Sequence, residues 1–271
     1  MDRREFLTRL ITSTAAATAA ASGLRGATLP TTGSDRLGKL LPTRALGKTG
    51  ENVTALCLGG FHSSLNDGRD SQALVETALE EGYRFFDTAH KYHGGRSEEV
   101  FGKYLTPKYR EDVYILSKCD TRDPELDAAT QLEVSLKRLN TDYIDLWLVH
   151  TLIDEEDAER RVMDMLEVLE EAKAAGKVRH FGVSGHYSTA ALNKALAMTK
   201  DDTLDALLMP MSPVDFVSQD SFIKNVLPEL LEQGVAPLAM KTMGAGRTLS
   251  SKVNGKTVIP QRLSKEENQW F

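Results

Sequence analysis

From Val53 onward the chain alternates short apolar runs with longer amphipathic stretches. The runs at 54–59, 83–88, 112–118, 143–149, 178–184, 204–210 and 235–240 predict strands. Tyr143-Ile144-Asp145-Leu146-Trp147-Leu148-Val149 is almost continuously apolar, the pattern of a parallel strand covered on both faces. Between the runs, helices are predicted over Ser71–Glu81, Asp123–Leu139 and Arg160–Ala175. The second is read as opening on the pair Asp123-Pro124. The third carries Val162, Met165, Leu166 and Leu169 on one side. Ahead of the first run, 44–50 and 53–56 suggest a hairpin around a Gly-containing turn. Strand-then-helix units about 30 residues apart point to an α/β (β/α) barrel. A doubly wound sheet is disfavoured because no Gly-x-Gly-x-x-Gly follows the first strand. Seven strands are visible, and a helical pattern from Ser264 runs out at Trp270-Phe271. The expected fold is therefore a (β/α)8 TIM barrel truncated before its eighth strand.

The first 26 residues follow another pattern. Arg3-Arg4-Glu5-Phe6-Leu7 precedes an alanine-rich run from Leu10 to Ala21, and small residues follow from Ser22. This reads as a twin-arginine signal peptide over residues 1–26. It implies the twin-arginine export machinery as a partner and a periplasmic or otherwise exported location. The run is too short and too rich in Ala and Thr for a permanent membrane helix. Residues 27–42, with Pro30, Gly33 and Pro42, read as linker, leaving 43–271 as the barrel.

Composition narrows the partners. A net charge of −6 with no basic stripe argues against nucleic acid and against an anionic membrane surface. Cys57 and Cys119 fall near the ends of strands one and three, which are not neighbours in a barrel, so two buried free thiols are expected. Cys119 adjoins Lys118, which suggests a lowered thiol pKa and selective alkylation. Glu155-Glu156-Asp157 reads as an acidic helix start.

In barrels of this type the reactive groups lie at the C-terminal ends of strands. Strand two ends Phe85-Phe86-Asp87 with Tyr92 in the following loop; strand three ends in Lys118 and strand four in His150. A strand-end Asp alone is most often a cap, and a lone His a satisfied core residue. A strand-end Lys is harder to dismiss, because desolvating an unpaired ammonium is costly. All four at one rim are far less easily explained singly.

Those residues sit in longer motifs. Gly82-Tyr83-Arg84-Phe85-Phe86-Asp87-Thr88-Ala89-His90-Lys91-Tyr92, Gly95-Arg96-Ser97-Glu98-Glu99-Val100-Phe101-Gly102, Asp142–His150 and Gly176–Ser184 resemble signatures of the aldo-keto reductases. The resemblance runs from about Thr43 to the end. It implies hydride transfer from a reduced nicotinamide cofactor, NADP(H) ahead of NAD(H), to an aldehyde or ketone. It makes Tyr92 the general acid and Lys118 the group that lowers its pKa. Asp87 would hold Lys118, and His150 would orient the substrate oxygen. Ser184, Gly185, Met240 and Lys241 would lie against the cofactor. The chain also departs from the family. Gly185-His186 stands where Asn often follows the serine, Leu207-Leu208-Met209-Pro210 has no amide, and Met240-Lys241 replaces a stacking Tyr. Two other functions fit parts of the pattern: a catalytically weak cofactor-binding sensor or scaffold, and a metal-dependent hydrolase using His62, His90, His93, His150 and His186 with Asp87. No metal is expected, since neither His-x-His on strand one nor His-Glu-x-x-His is present. Carbonyl substrate identity and oligomeric state stay open at this point.

Overall fold

A computed structural model of the protein describes residues 33–64, 68–123, 126–199 and 203–243, together with the short strands Lys252–Val253 and Lys256–Thr257. The signal peptide read in residues 1–26 and the helix read from Ser264 lie outside the described residues.

Two antiparallel hairpins come first: β1 (Gly33–Asp35) with β2 (Gly38–Leu40), and β3 (Thr43–Ala45) with β4 (Asn52–Thr54). The second is the predicted one. The first corrects the reading of 27–42 as linker, and its cause lies far along the chain. Arg84 grips Asp35 with two parallel hydrogen bonds of 2.7 and 2.8 Å, a bidentate ion pair that sequence spacing does not reveal.

Each of the seven predicted runs falls on a strand of one parallel sheet, and three of the strands extend past the predicted end. The seven are β5 (Cys57–Gly59), β6 (Phe85–Asp87), β7 (Tyr114–Cys119), β8 (Ile144–Leu152), β9 (Val178–Gly185), β10 (Ala206–Pro210) and β11 (Ala236–Met240). They pair in sequence order, with β5 and β11 at the edges. Monotonic order with no switch of direction is barrel winding, not the double winding of a dinucleotide-type sheet. Helices α1 (Gly68–Glu80), α2 (Arg96–Tyr104), α3 (Ala128–Leu139), α4 (Glu155–Ala174) and α5 (Thr189–Met198) occupy the connections from β5 to β10.

Helix starts follow their caps. α3 opens at Ala128, its N-cap Asp127 accepting from the Thr130 amide at 2.7 Å, and not at Asp123-Pro124 as expected. Gln131 donates to the carbonyls of Asp120 and Leu126, on the chain ahead of the helix. In α4 the expected acidic start is a reciprocal cap: Asp154 accepts from the Asp157 amide, and Asp157 accepts from that of Ile153.

The strands place the chemistry by parity, since successive side chains point to opposite faces. Phe86, Ile115, Trp147, Val149, Leu207 and Met209 join the core packed against the helices. Phe85, Leu116, Leu146, Leu148, Ala206 and Leu208 join a second, smaller core on the other face, closed by Leu46 and Val53 of the hairpin. Asp87, Lys118 and His150 share the parity of that second face and stand just beyond its apolar layer. Gly182 belongs there too: a Cβ would come 2.5 Å from the Ala206 carbonyl oxygen, so only glycine lets β9 and β10 approach this closely.

Candidate active site

Lys118 is the centre of the rim. Its side chain is 1% exposed, and its ammonium donates to the Asp87 carboxylate, to the Thr88 carbonyl at 2.7 Å and to the Tyr92 hydroxyl at 3.1 Å. Three donors meet three acceptors, so a buried cation is fully satisfied. Burial works against the Lys118 charge, but Asp87 and Tyr92 outweigh it and hold its pKa above the ordinary lysine value.

Tyr92 begins a tight 3-10 turn, Tyr92–Gly95, in which His93 takes φ 51°. The His93 ring donates from Nε2 to the Phe61 carbonyl at 2.6 Å, tying this turn to the loop after β5. Phe61 stands edge-on to the Tyr92 ring at 5.2 Å, and the His150 ring meets the same phenol edge-on at 5.4 Å. One expectation needs correction. Lys118 does pull the Tyr92 pKa down, yet burial is the larger effect and leaves the phenol above its ordinary value. Tyr92 is thus a protonated phenol at neutral pH.

His150 lies at the end of β8 with its Nδ1 buried and lacking any hydrogen-bond partner. Burial first, then the Lys118 charge, lowers its pKa to about 3, so the ring is neutral. A neutral imidazole offers one N–H donor and one acceptor, suited to meeting a substrate oxygen without competing for its proton.

The expected cofactor residues fare unequally. Ser184 is buried, accepts from the Thr151 amide at 3.0 Å and donates to the Val149 carbonyl at 3.0 Å, so its hydroxyl proton is committed to β8. Gly185 ends β9, where a Cβ would press on Leu192 at 2.8 Å. Met240 ends β11 half-buried, and exposed Lys241 follows it with φ 54°. His186, not among the expected cofactor residues, has a buried Nδ1 with no hydrogen-bond partner. Its pKa is lowered to about 4, by burial and then by the charges of Lys241 and Lys118.

Sequence reasoning also missed a buried charge cluster beneath His150. Arg161 of α4 is fully buried and binds Asp120 at 3.0 Å and Asp157 at 3.2 Å. Arg122 binds Asp120 as well, at 2.8 Å, and holds that carboxyl well below the usual carboxylate range against the effect of burial. The available signal was Arg161 itself, a charge on the Asp157–Ala158–Val162–Met165 stripe that α4 buries.

The two cysteines depart from expectation in their surroundings. Both cysteines are free, but Cys57 is exposed, not buried. Cys119 is buried, and burial pushes its thiol pKa up, so the expected activation by Lys118 does not occur. The neighbour in sequence faces the other side of the strand. Among the described residues no group of three or more His, Cys, Asp or Glu could hold a metal ion. His90 turns instead toward Ser135 at 3.3 Å.

The geometry can be set beside known proteins. The model of the aldo/keto reductase family matches residues 55–270. A 6-dehydroglucose reductase from Novosphingobium aromaticivorans is 30% identical over 239 residues, covering 81% of this chain and 75% of the relative. A protein of the same name from Agrobacterium fabrum is 27% identical, covering 72% and 69%. Among solved structures, a thermostable aldo-keto reductase in complex with the inhibitor epalrestat superposes with a TM-score of 0.63 at 29% identity, covering 78% of this chain and 76% of the other. An aldo/keto reductase from Klebsiella pneumoniae, solved with NADP and acetate, gives 0.62 at 23% identity, covering 75% and 70%, a likeness of fold.

Proposed function

The chain belongs to the aldo/keto reductase family, and from that premise we propose that it reduces a small aldehyde or ketone with Tyr92 as general acid. The observation that carries the proposal is Lys118 bonded at once to Asp87, Thr88 and Tyr92.

A bound reduced nicotinamide supplies the hydride that the carbonyl carbon receives. Everything else falls to the chain's own residues. The substrate oxygen gains negative charge as it is reduced, and His150 donates a hydrogen bond to it, fixing its direction. Tyr92 gives the same oxygen its proton. A buried phenol with a raised pKa holds that proton until the oxygen becomes basic enough to take it. Lys118 then stabilises the phenolate left behind, 3.1 Å from the hydroxyl oxygen, and Asp87 keeps the ammonium in place. Phe61, packed on the Tyr92 ring, helps exclude water from the proton's path.

The far side of the rim fits a nicotinamide. His186 carries an orphaned buried nitrogen, and Ser184 keeps one lone pair after its two bonds, which suits an amide N–H. Residues 43–271 form the reductase unit in this reading, and the Arg3-Arg4 start supports export through the twin-arginine route with cofactor already bound. Mass spectrometry of the periplasmic protein tests that last point, and an empty pocket in every preparation contradicts it.

The enzymatic test is loss of reduced-nicotinamide absorbance with a panel of aldehydes and ketones, dehydrosugars included because two relatives act under that name. Turnover with at least one class is expected, unchanged by chelators. Clear cofactor binding without turnover across the panel contradicts the proposal and favours a sensor.

A further inference from the structure

Thr151 has φ 57°, one of four non-glycine residues with positive φ among the described residues, and it alone of the four is β-branched. A left-handed L-residue costs about 1–2 kcal/mol, more when the side chain is branched, so something must hold it. The Thr151 hydroxyl does not: it is buried and unbonded. The main restraint comes from two neighbours, with Arg122 adding a longer bond of 3.5 Å to the His150 carbonyl. Arg161 of α4 donates to the His150 carbonyl at 2.7 Å and to the Thr151 carbonyl at 3.0 Å. Ser184 of β9 takes the Thr151 amide at 3.0 Å and returns its own proton to the Val149 carbonyl. Between them, the β8–β9 register shifts from Val149↔Val183 to Leu152↔Gly185, a bulge centred on His150 and Thr151.

Arg161 is an expensive way to hold two carbonyls. Its guanidinium is completely buried and spends its remaining donors on Asp120, Asp157 and Thr121. Asp120 is in turn fixed by Arg122 through two hydrogen bonds of 2.8 and 2.9 Å. A helix that needed only to pack here would carry a leucine or methionine.

We propose that Arg161 and Ser184 are positioning residues that clamp the β8 bulge and thereby set the direction of the His150 ring. The clamp works through the backbone: carbonyls held from the α4 side, an amide and a carbonyl held from the β9 side. It rests on the reading of His150 as the donor to the substrate oxygen, and it gives Ser184 a task whether or not cofactor is bound.

The test reads the six histidine Cε1–H signals by NMR in cofactor-free protein, His150 being assigned by its absence in His150→Gln. Arg161→Lys keeps the charge but cannot span both carbonyls. It should displace the His150 signal while the five others hold their positions, and lower kcat for carbonyl reduction with little change in cofactor affinity. Adding Thr151→Gly should return the signal to its wild-type place, because glycine adopts the left-handed conformation unaided. If Arg161→Lys does not fold, Ser184→Ala, which removes the opposite tie, is read in cofactor-free protein by the His150 signal and its restoration by Thr151→Gly alone, because the same hydroxyl faces the cofactor in the proposed function. An unmoved His150 signal, or a double variant that fails to restore it, overturns the clamp. A displaced and restored signal in a protein that reduces no carbonyl upholds the clamp and sinks only the reductase reading.

Discussion

The two halves of the strand-end rim are finished to different degrees. At the ends of β6, β7 and β8 the charges are matched within the protein: Lys118 with Asp87, Arg161 with Asp120 and Asp157. At the ends of β9, β10 and β11 the groups are apolar or neutral: Leu208, half-buried Met240, and His186, whose orphaned Nδ1 matches the one on His150. Preorganised dipoles and charges cost nothing at the moment of reaction, so the half proposed to transfer the proton is best built by the protein alone. A half that must admit and release a large ligand cannot be filled in advance. On the proposed reading this asymmetry suits a reductase, with the proton donor prepared on one side and the cofactor taken on the other.

The largest break in that comparison comes from removing the central cation. Lys118→Met leaves Asp87 as an uncompensated charge in a mostly buried place, which costs about 3–5 kcal/mol. Carbonyl reduction should vanish, and chemical denaturation should show the stability loss. Full activity in a folded Lys118→Met protein would remove Lys118 from the mechanism.

A smaller effect sharpens the role of the neutral imidazoles. His150 has its pKa lowered to about 3, and His90 and His186 to about 4, while an unfolded histidine titrates near 6.5. Below about 6.5 the unfolded chain binds protons that the native rings refuse, so stability falls as pH falls through that window and levels off near 3. His150→Gln should remove one of these contributions, flattening the slope of stability against pH by up to about 1.4 kcal/mol per unit. An unaltered slope would mean that His150 is solvated and chargeable.

The smallest effect concerns strain. Thr151→Gly relieves a left-handed β-branched residue and an unbonded hydroxyl, and should raise stability by about 1 kcal/mol in urea denaturation. A loss of stability would mean that Thr151 is not strained.

What the chain disclosed in advance divides along physical lines. The strands of the sheet were legible because parallel strands buried on both faces leave continuous apolar runs, as in Ile144–Val149. Asp87, Lys118 and His150 were legible because strand parity and strand ends are local properties. Hidden were the groups whose roles depend on distant partners. The β1–β2 hairpin is ordered by Arg84, 49 residues from Asp35. Arg161 reaches Asp120 from 41 residues away. The Tyr92 pKa was misjudged for the same reason. The attraction to Lys118 follows from the motif, but the burial that outweighs it comes from packing, including Phe61 across the rim. The start of α3 was misplaced because Asp123-Pro124 and Asp127 read as equivalent caps in sequence, and it is Asp127 that takes the Thr130 amide.

The claim that chemistry and cofactor occupy separate halves is tested most directly by Tyr92→Phe, with turnover and reduced-cofactor affinity measured on the same preparation. The hydroxyl lies in the half that the protein completes by itself, so its loss should lower carbonyl reduction by about 10²–10⁴-fold or more and leave the cofactor dissociation constant at its wild-type value. Wild-type turnover in Tyr92→Phe, or a cofactor affinity that falls in step with turnover, would contradict the account.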